Sequence, residues 1–146
     1  MKAKNDGRTL AYANSLWTLI DLETMRPTKA LPEQVQGYTS GTPLEMEYAP
    51  RKITLPENGE EKEPIFIQNY HLDTNNHVNN GQYLRMAMAY LPQGFRVREM
   101  RAEYKKAALL GDTVIPVCYM NEERNIMTVA LTNEKNDAYA IIQLMQ

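Results

Sequence analysis

Apolar positions change period in a set order over residues 64–146. The stretch "IFIQNYHLD" (Ile65 to Asp73) alternates, with Ile65, Ile67 and Asn69 on one side and Phe66, Gln68 and Tyr70 on the other. That period of two predicts a strand. In "NNGQYLRMAMAYLP" the residues Tyr83, Leu84, Met86, Ala87, Tyr90 and Leu91 recur at spacings of three and four, which predicts a mostly buried helix. Asn79 or Asn80 can cap its start, and Pro92 marks its end. Four strand-like runs follow: "FRVREMRAEYKKAAL", "DTVIPVCYMN", "NIMTVALTNE" and "AYAIIQLMQ". The short breaks "LGD", "NEER" and "EKND" predict that they form a meander. One helix must then cover the apolar face of one antiparallel sheet. The expected class is α+β, a long central helix packed on a curled antiparallel sheet.

The first part of the chain reads differently. "SLWTLID" predicts a buried strand, and "NDG" at Asn5 to Gly7 suits a hairpin turn. Only "MKAK" precedes that turn, so the chain reads as starting in the middle of a sheet. Leu16, Trp17, Leu19 and Ile20 need neighbours to bury them. The plainer alternative is a frayed tail before an edge strand. From residue 24 to 63 periodicity is weak and prolines punctuate the chain, at Pro27, Pro32, Pro43, Pro50 and Pro56, with Pro64 just beyond. A short helix at Pro32 to Gln36 is expected there. "ENGEEKE" reads as solvated loop. The organisation expected is strands in residues 1–23, a linker lying over a surface in 24–63, and one complete unit in 64–146.

Composition narrows the class. The chain has 146 residues, 43% of them hydrophobic and 23% charged, enough apolar content for a packed core. Sixteen basic and 18 acidic residues give a net charge of -2, which argues against nucleic acid as a partner. The single cysteine, Cys118, excludes a disulfide framework and a multi-cysteine zinc site within the chain, and fits a reducing compartment. "MKAKNDGRTLAYANSLW" has no signal-type apolar core, and no run is long enough for a membrane span. A soluble cytoplasmic protein is the expectation.

Candidate chemistry concentrates in "NYHLDTNNHVNNGQY", residues 69–83. Both histidines, His71 and His77, lie there with Asp73 and five asparagines. An Asx-rich turn capping a buried helix accounts for much of this. A site accounts for it too. A carboxylate or imidazole can activate water, and asparagine can orient a partner or donate to an oxyanion. Backbone N–H groups near Asn79 to Gly81 face any anion placed at the helix start. There is no G-x-S-x-G elbow, and Cys118 sits in an apolar strand pattern as a core residue would. Two histidines six apart on a strand and loop do not make a metal set, and no cofactor is expected. His71 reads as a strand-end residue facing solvent or the site rim. Met86 and Met88 read as packing, Trp17 as core, and Tyr83 more as core than as contact. Arg96, Arg98, Arg101, Lys105 and Lys106, interleaved with Glu99 and Glu103, read as a solvated strand face.

"HLDTNNHVNNGQYL" resembles the signature D-x-N-x-H-V-N-N-x-x-Y of the acyl-acyl carrier protein thioesterases, matching at Asp73, Asn75, His77, Val78, Asn79, Asn80 and Tyr83. "SLWTLIDLETMRP" resembles the end of that family's N-terminal hotdog domain. "EYKKAALLGDTV" resembles the strand and turn that follow the family's helix, roughly E-Y-x-x-E-x-x-x-G-D. The resemblance covers nearly the whole chain. It implies a hotdog fold, with residues 1–23 as remnant strands of a truncated N-terminal hotdog, 24–63 as linker and 64–146 as the C-terminal hotdog. It implies hydrolysis of fatty acyl-carrier-protein thioesters to free fatty acids, in fatty acid biosynthesis, with acyl carrier protein as partner and no cofactor. Asp73, Asn75 and His77 then occupy the catalytic positions. His77 and Asp73 would act as acid/base pair with Asn75 orienting, or Asp73 would be the direct base or nucleophile. Asn79, Asn80, Gly81 and Tyr83 would bind substrate, and Lys105 and Lys106 would dock the acidic carrier protein. One departure stands out: the family often carries Glu, followed in plant members by Cys, where this chain has Ala107 and Ala108. That keeps a second implication in view, a non-catalytic hotdog module that binds acyl chains or holds a partner domain. A half-sheet left exposed would favour a homodimer, or aggregation.

Overall fold

The structure, a computed structural model, describes residues 1–11, 13, 18–24, 26–38, 42 and 44–146. Leu16, Trp17 and Pro43 lie outside the described residues, and so do the expectations placed on them. The chain forms two compact units, Met1–Ala49 and Pro50–Gln146.

In the first unit Lys2 bridges Thr9 across a turn whose Gly7 has φ +70°, the conformation an Asp-Gly pair favours. Strands β1 (Leu19–Asp21) and β2 (Arg26–Thr28) form an antiparallel ribbon. Asp21 Oδ1 closes the turn between them by accepting from Glu23 N–H at 3.1 Å and Thr24 N–H at 2.7 Å. Leu19 and Ile20 are exposed, so the described part of the expected strand is not buried. A two-stranded ribbon has no second layer of its own to cover a face. Helix α1 (Pro32–Val35) starts on proline, whose missing N–H costs nothing at that position.

The second unit is the α+β arrangement expected. It contains β3 (Glu60–Glu61), β4 (Ile65–Phe66), α2 (Asn80–Met88), β5 (Glu99–Tyr104), β6 (Thr113–Asn121), β7 (Ile126–Thr132) and β8 (Ala138–Met145). The sheet runs β3-β6-β7-β8-β5, with β4 also on β6, and every pairing is antiparallel. Strands β6 to β8 are a meander with short turns. The expected meander of four is corrected at β5, which pairs with β8 at the far edge. The segment after β5 is bonded in turn to Tyr139 of β8, to Val78 and Tyr83, and to Ile67. Those bonds carry the chain past β8 and β7 before β6 begins.

Two further expectations are corrected. The strand from Ile65 stops at Phe66, and Asn69–His71 form a 3-10 turn. The buried His71 ring takes the N–H of Gln68 that a longer strand would have offered to a neighbour. The charge run "ENGEEKE" is not all loop, because Glu60 and Glu61 pair with Cys118 and Val117 of β6, and Lys62 closes on Glu60 in a salt bridge.

The sheet is covered on both faces. On one, α2 places Tyr83, Met86 and Ala87 against Val114, Cys118, Val129, Leu131, Ile142 and Leu144. Each large apolar side chain fully buried there contributes about 1.5–3 kcal/mol. Met88 is exposed, against expectation, because it lies about 200° around the helix from Met86. On the other face Ile53 packs with Ala130 and Ile141. This strap is held by strand side chains: Ile53 N–H donates to Glu103 Oε2 at 2.8 Å, and Arg101 Nη2 donates to Pro50 O at 2.6 Å. The Ile53 bond, aided by Lys105, holds the Glu103 carboxyl below the usual carboxylate range. Arg101 and Glu103 are therefore structural clamps and not part of a solvated face. Burial on both sides also explains why β7 reads as a continuous apolar run instead of an alternating one.

Candidate functional site

The segment between the 3-10 turn and α2 closes on itself. Asp73 Oδ1 accepts from Asn75 N–H at 2.8 Å and His77 N–H at 3.2 Å, and Asp73 N–H donates to His77 O at 2.8 Å. Asn76 takes φ +59°, which asparagine tolerates better than most residues. Leu72 and Val78 bridge at the base of the loop. The Asx-turn reading thus describes the local wiring. It leaves Asp73 Oδ2 with no bond to another described residue, and His77 exposed.

Asn79 is the cap of α2, which resolves the choice between Asn79 and Asn80. Its Oδ1 accepts from Gly81 N–H at 2.8 Å. Its own N–H donates to His71 O at 2.9 Å. Of the three backbone donors expected at the helix start, two are therefore engaged. Asn80 N–H is the one with no bond among the described residues. Tyr83 points into the core. Its hydroxyl accepts from Ala108 N–H at 2.9 Å, and Ala108 O accepts from Val78 N–H at 2.9 Å. Burial pushes the Tyr83 phenol up.

These pieces enclose a cavity of about 230 Å³. Asp73, His77, Asn80 and Tyr83 line one side. Lys105, Lys106 and Ala107 line the other, with Tyr104. Six of the nine expected catalytic, substrate-binding and docking residues meet here. Asn75, Asn79 and Gly81 do not line it: Asn79 and Gly81 form the cap, and Asn75 sits exposed in the loop. Lys105 Nζ lies 3.4 Å from Glu103, and Lys106 also borders a larger neighbouring cavity of about 350 Å³. There Tyr139 donates to Asp112 Oδ2 at 3.1 Å, and burial with that carboxylate pushes its phenol up to about 12. One carboxylate, one imidazole and two lysine side chains thus border a small cleft at the start of α2. That set can activate a water and stabilise an oxyanion.

Among the described residues no group of three His, Cys, Asp or Glu side chains could hold a metal ion. Cys118 is buried, and burial pushes its thiol up, as befits a core residue. His71 corrects its expectation: it is 6% exposed, not on the rim, and its carbonyl and ring both bond into the site's framework. The spacing of Gln68 and His71 was the available signal, since residues three apart meet in a 3-10 turn. Tyr104 was also missed as a lining residue, although it stands in the "EYKKAALLGD" run.

The family model of the acyl-ACP thioesterase C-terminal domain matches residues 47–144. An acyl-ACP thioesterase from Bacteroides thetaiotaomicron is similar in structure, with 22% identity and a TM-score of 0.72 over 86% of this chain and 52% of that one. A 12:0-ACP thioesterase from Umbellularia californica is 12% identical, with a TM-score of 0.65 over 86% of this chain and 51% of that one. No curated protein sequence matches the chain. The chain spans about half the length of the solved structures it resembles. At these identities the likeness is one of fold, the hotdog: one main helix on a large antiparallel sheet.

Proposed function

The chain belongs to the acyl-ACP thioesterase family, carrying its C-terminal domain over residues 47–144, and on that premise we propose that it hydrolyses fatty acyl thioesters presented on acyl carrier protein. The products are a free fatty acid and the carrier thiol, as a terminating step of cytoplasmic fatty acid biosynthesis. The observation that carries this reading is the meeting of Asp73 and His77 with Asn80, the first residue of α2, in one cleft. In the proposed reaction Asp73 and His77 take a proton from water as it attacks the thioester carbonyl carbon. The Asn80 N–H at the helix start, with Lys106 nearby, stabilises the oxyanion. Collapse of that adduct breaks the carbon–sulfur bond, and the imidazolium returns the proton to the leaving thiolate. Asn75 acts indirectly, through the loop its N–H closes with Asp73. Lys105 and Lys106 at the cleft mouth suit an acidic carrier protein.

The direct test is thioester hydrolysis by the chain, with Asp73→Ala and His77→Ala as controls. A wild-type rate no faster than either variant overturns the reading. Charge reversal at Lys105 and Lys106 should weaken carrier-protein binding less as salt is added, and affinity unchanged across salt removes the docking role. A homodimer is the assembly we favour. The β5 edge has no further strand among the described residues, and Met100 and Tyr104 on that strand are exposed. Sedimentation as a monomer at micromolar concentration would argue against it. A second reading has one observation behind it: Ala107 lines the cleft, at the position where the resemblance to the family's E-Y-x-x-E run implies an acid. That favours a non-catalytic hotdog module that binds acyl chains, recognised by tight acyl-carrier-protein binding without turnover.

A further inference from the structure

We propose that His71 is a positioning residue of this site. Its neutral imidazole, with the proton on Nε2, locks the turn that leads into Asp73 to the helix start that presents Asn80. The kinetic side of this inference rests on the hydrolase reading; the structural side does not.

Gln68 N–H donates to His71 Nδ1 at 2.9 Å. A ring nitrogen can accept only when it carries no proton, so the neutral ring holds its proton on Nε2. His71 O accepts from Asn79 N–H at 2.9 Å, and Asn79 in turn holds Gly81 N–H. One residue therefore ties the entry of the 72–78 loop to its exit. Asp73 and His77 lie between those ties, and Asn80 N–H lies just past them.

The ring is buried, with the Tyr70 ring centroid 4.1 Å from its own. Burial pushes its pKa below the ordinary 6.5, and no charged side chain among the described residues adds to the shift. A base with a lowered folded pKa stabilises the fold fully above 6.5, and that contribution is lost as pH falls through the folded value. Protonation sets N–H against N–H at Gln68 and places a charge in a buried site. The turn must open, and the acid/base pair loses its register with the helix-start donor.

Nitrogen NMR on the full chain, with two variants, tests this. His71→Asn offers an acceptor near the Nδ1 position without titrating, and His71→Leu keeps bulk while removing the acceptor. In the wild type we expect the Nε2–H tautomer at neutral pH, and Gln68 and Asn79 amide shifts that titrate together with the His71 ring. In His71→Asn that shared titration disappears, and the acid limb of the kcat profile loses one ionisation. In His71→Leu kcat falls about ten- to a hundred-fold with KM within about two-fold, the mark of misplacement and not of lost binding. An Nδ1–H tautomer, amides that ignore the ring's titration, or a His71→Leu enzyme with wild-type kcat would each overturn the proposal. The tautomer and amide shifts need no turnover. Absence of hydrolysis in the wild type therefore counts against the hydrolase reading alone.

Discussion

At Ala107 the cleft wall is a methyl group beside two lysines. If the proposed chemistry runs on Asp73 and His77 alone, a carboxylate at this position should add a second proton-handling group. Ala107→Glu should raise kcat by about ten-fold or more, read in steady-state hydrolysis of an acyl-carrier-protein thioester. Tyr83 carries a different kind of burden. Its hydroxyl is the acceptor for the buried Ala108 N–H, and Ala108 O takes the N–H of Val78 next to His77. Tyr83→Phe leaves that N–H unpaired and should cost about 1–3 kcal/mol in urea unfolding. The turn that joins Asp73 to His77 was legible in sequence because the bonds between those two residues span only four positions. The burial of His71 was not. The Gln68–His71 spacing permits a 3-10 turn, but a polar residue in an alternating run gives no sign that its ring will be covered.

Elements differ in how far their own residues specify them. The α2 helix and strands β6 to β8 carry their period openly, and the structure has them there, except that α2 ends at Met88, short of the expected Tyr90 and Leu91. β3 does not. Its two glutamates have poor strand propensity, and they pair only because β6 offers an edge. That pairing brings Gly59 against the Tyr119 ring and to within 2.6 Å of Val117 Cγ1, measured from where a Cβ would stand. Gly59→Ala should therefore destabilise the second unit by about 1–3 kcal/mol, with faster amide exchange at Glu60 and Lys62, which face β6, as its local sign. A substitution that left both stability and exchange unchanged would mean that β3 holds no fixed register on β6.

For the molecule as a whole, alkaline stability follows from the buried phenols. Tyr139 ionises near 10 when free and is pushed up to about 12 in the fold by burial and by Asp112. An acid with a raised folded pKa favours the fold fully below the free value and loses that contribution as pH rises through the folded one. Stability should thus fall between pH 10 and about 12, and Tyr139→Phe should flatten that fall in melts taken across the range. What the sequence determined by itself is whatever short separations can close: the Asp73–His77 loop, an asparagine cap at residue 79 or 80, the α2 face and the hairpins of β6 to β8. The tertiary structure alone decided that Lys105, Lys106 and Ala107 face that loop across a cleft, that β5 lies beside β8, and that Arg101 and Glu103 hold the strap at Pro50 and Ile53. The reason is physical. A hydrogen bond between near neighbours is specified by the residues that make it. A contact between distant segments depends on which apolar faces the whole chain buries first, and a single stretch of sequence does not carry that information.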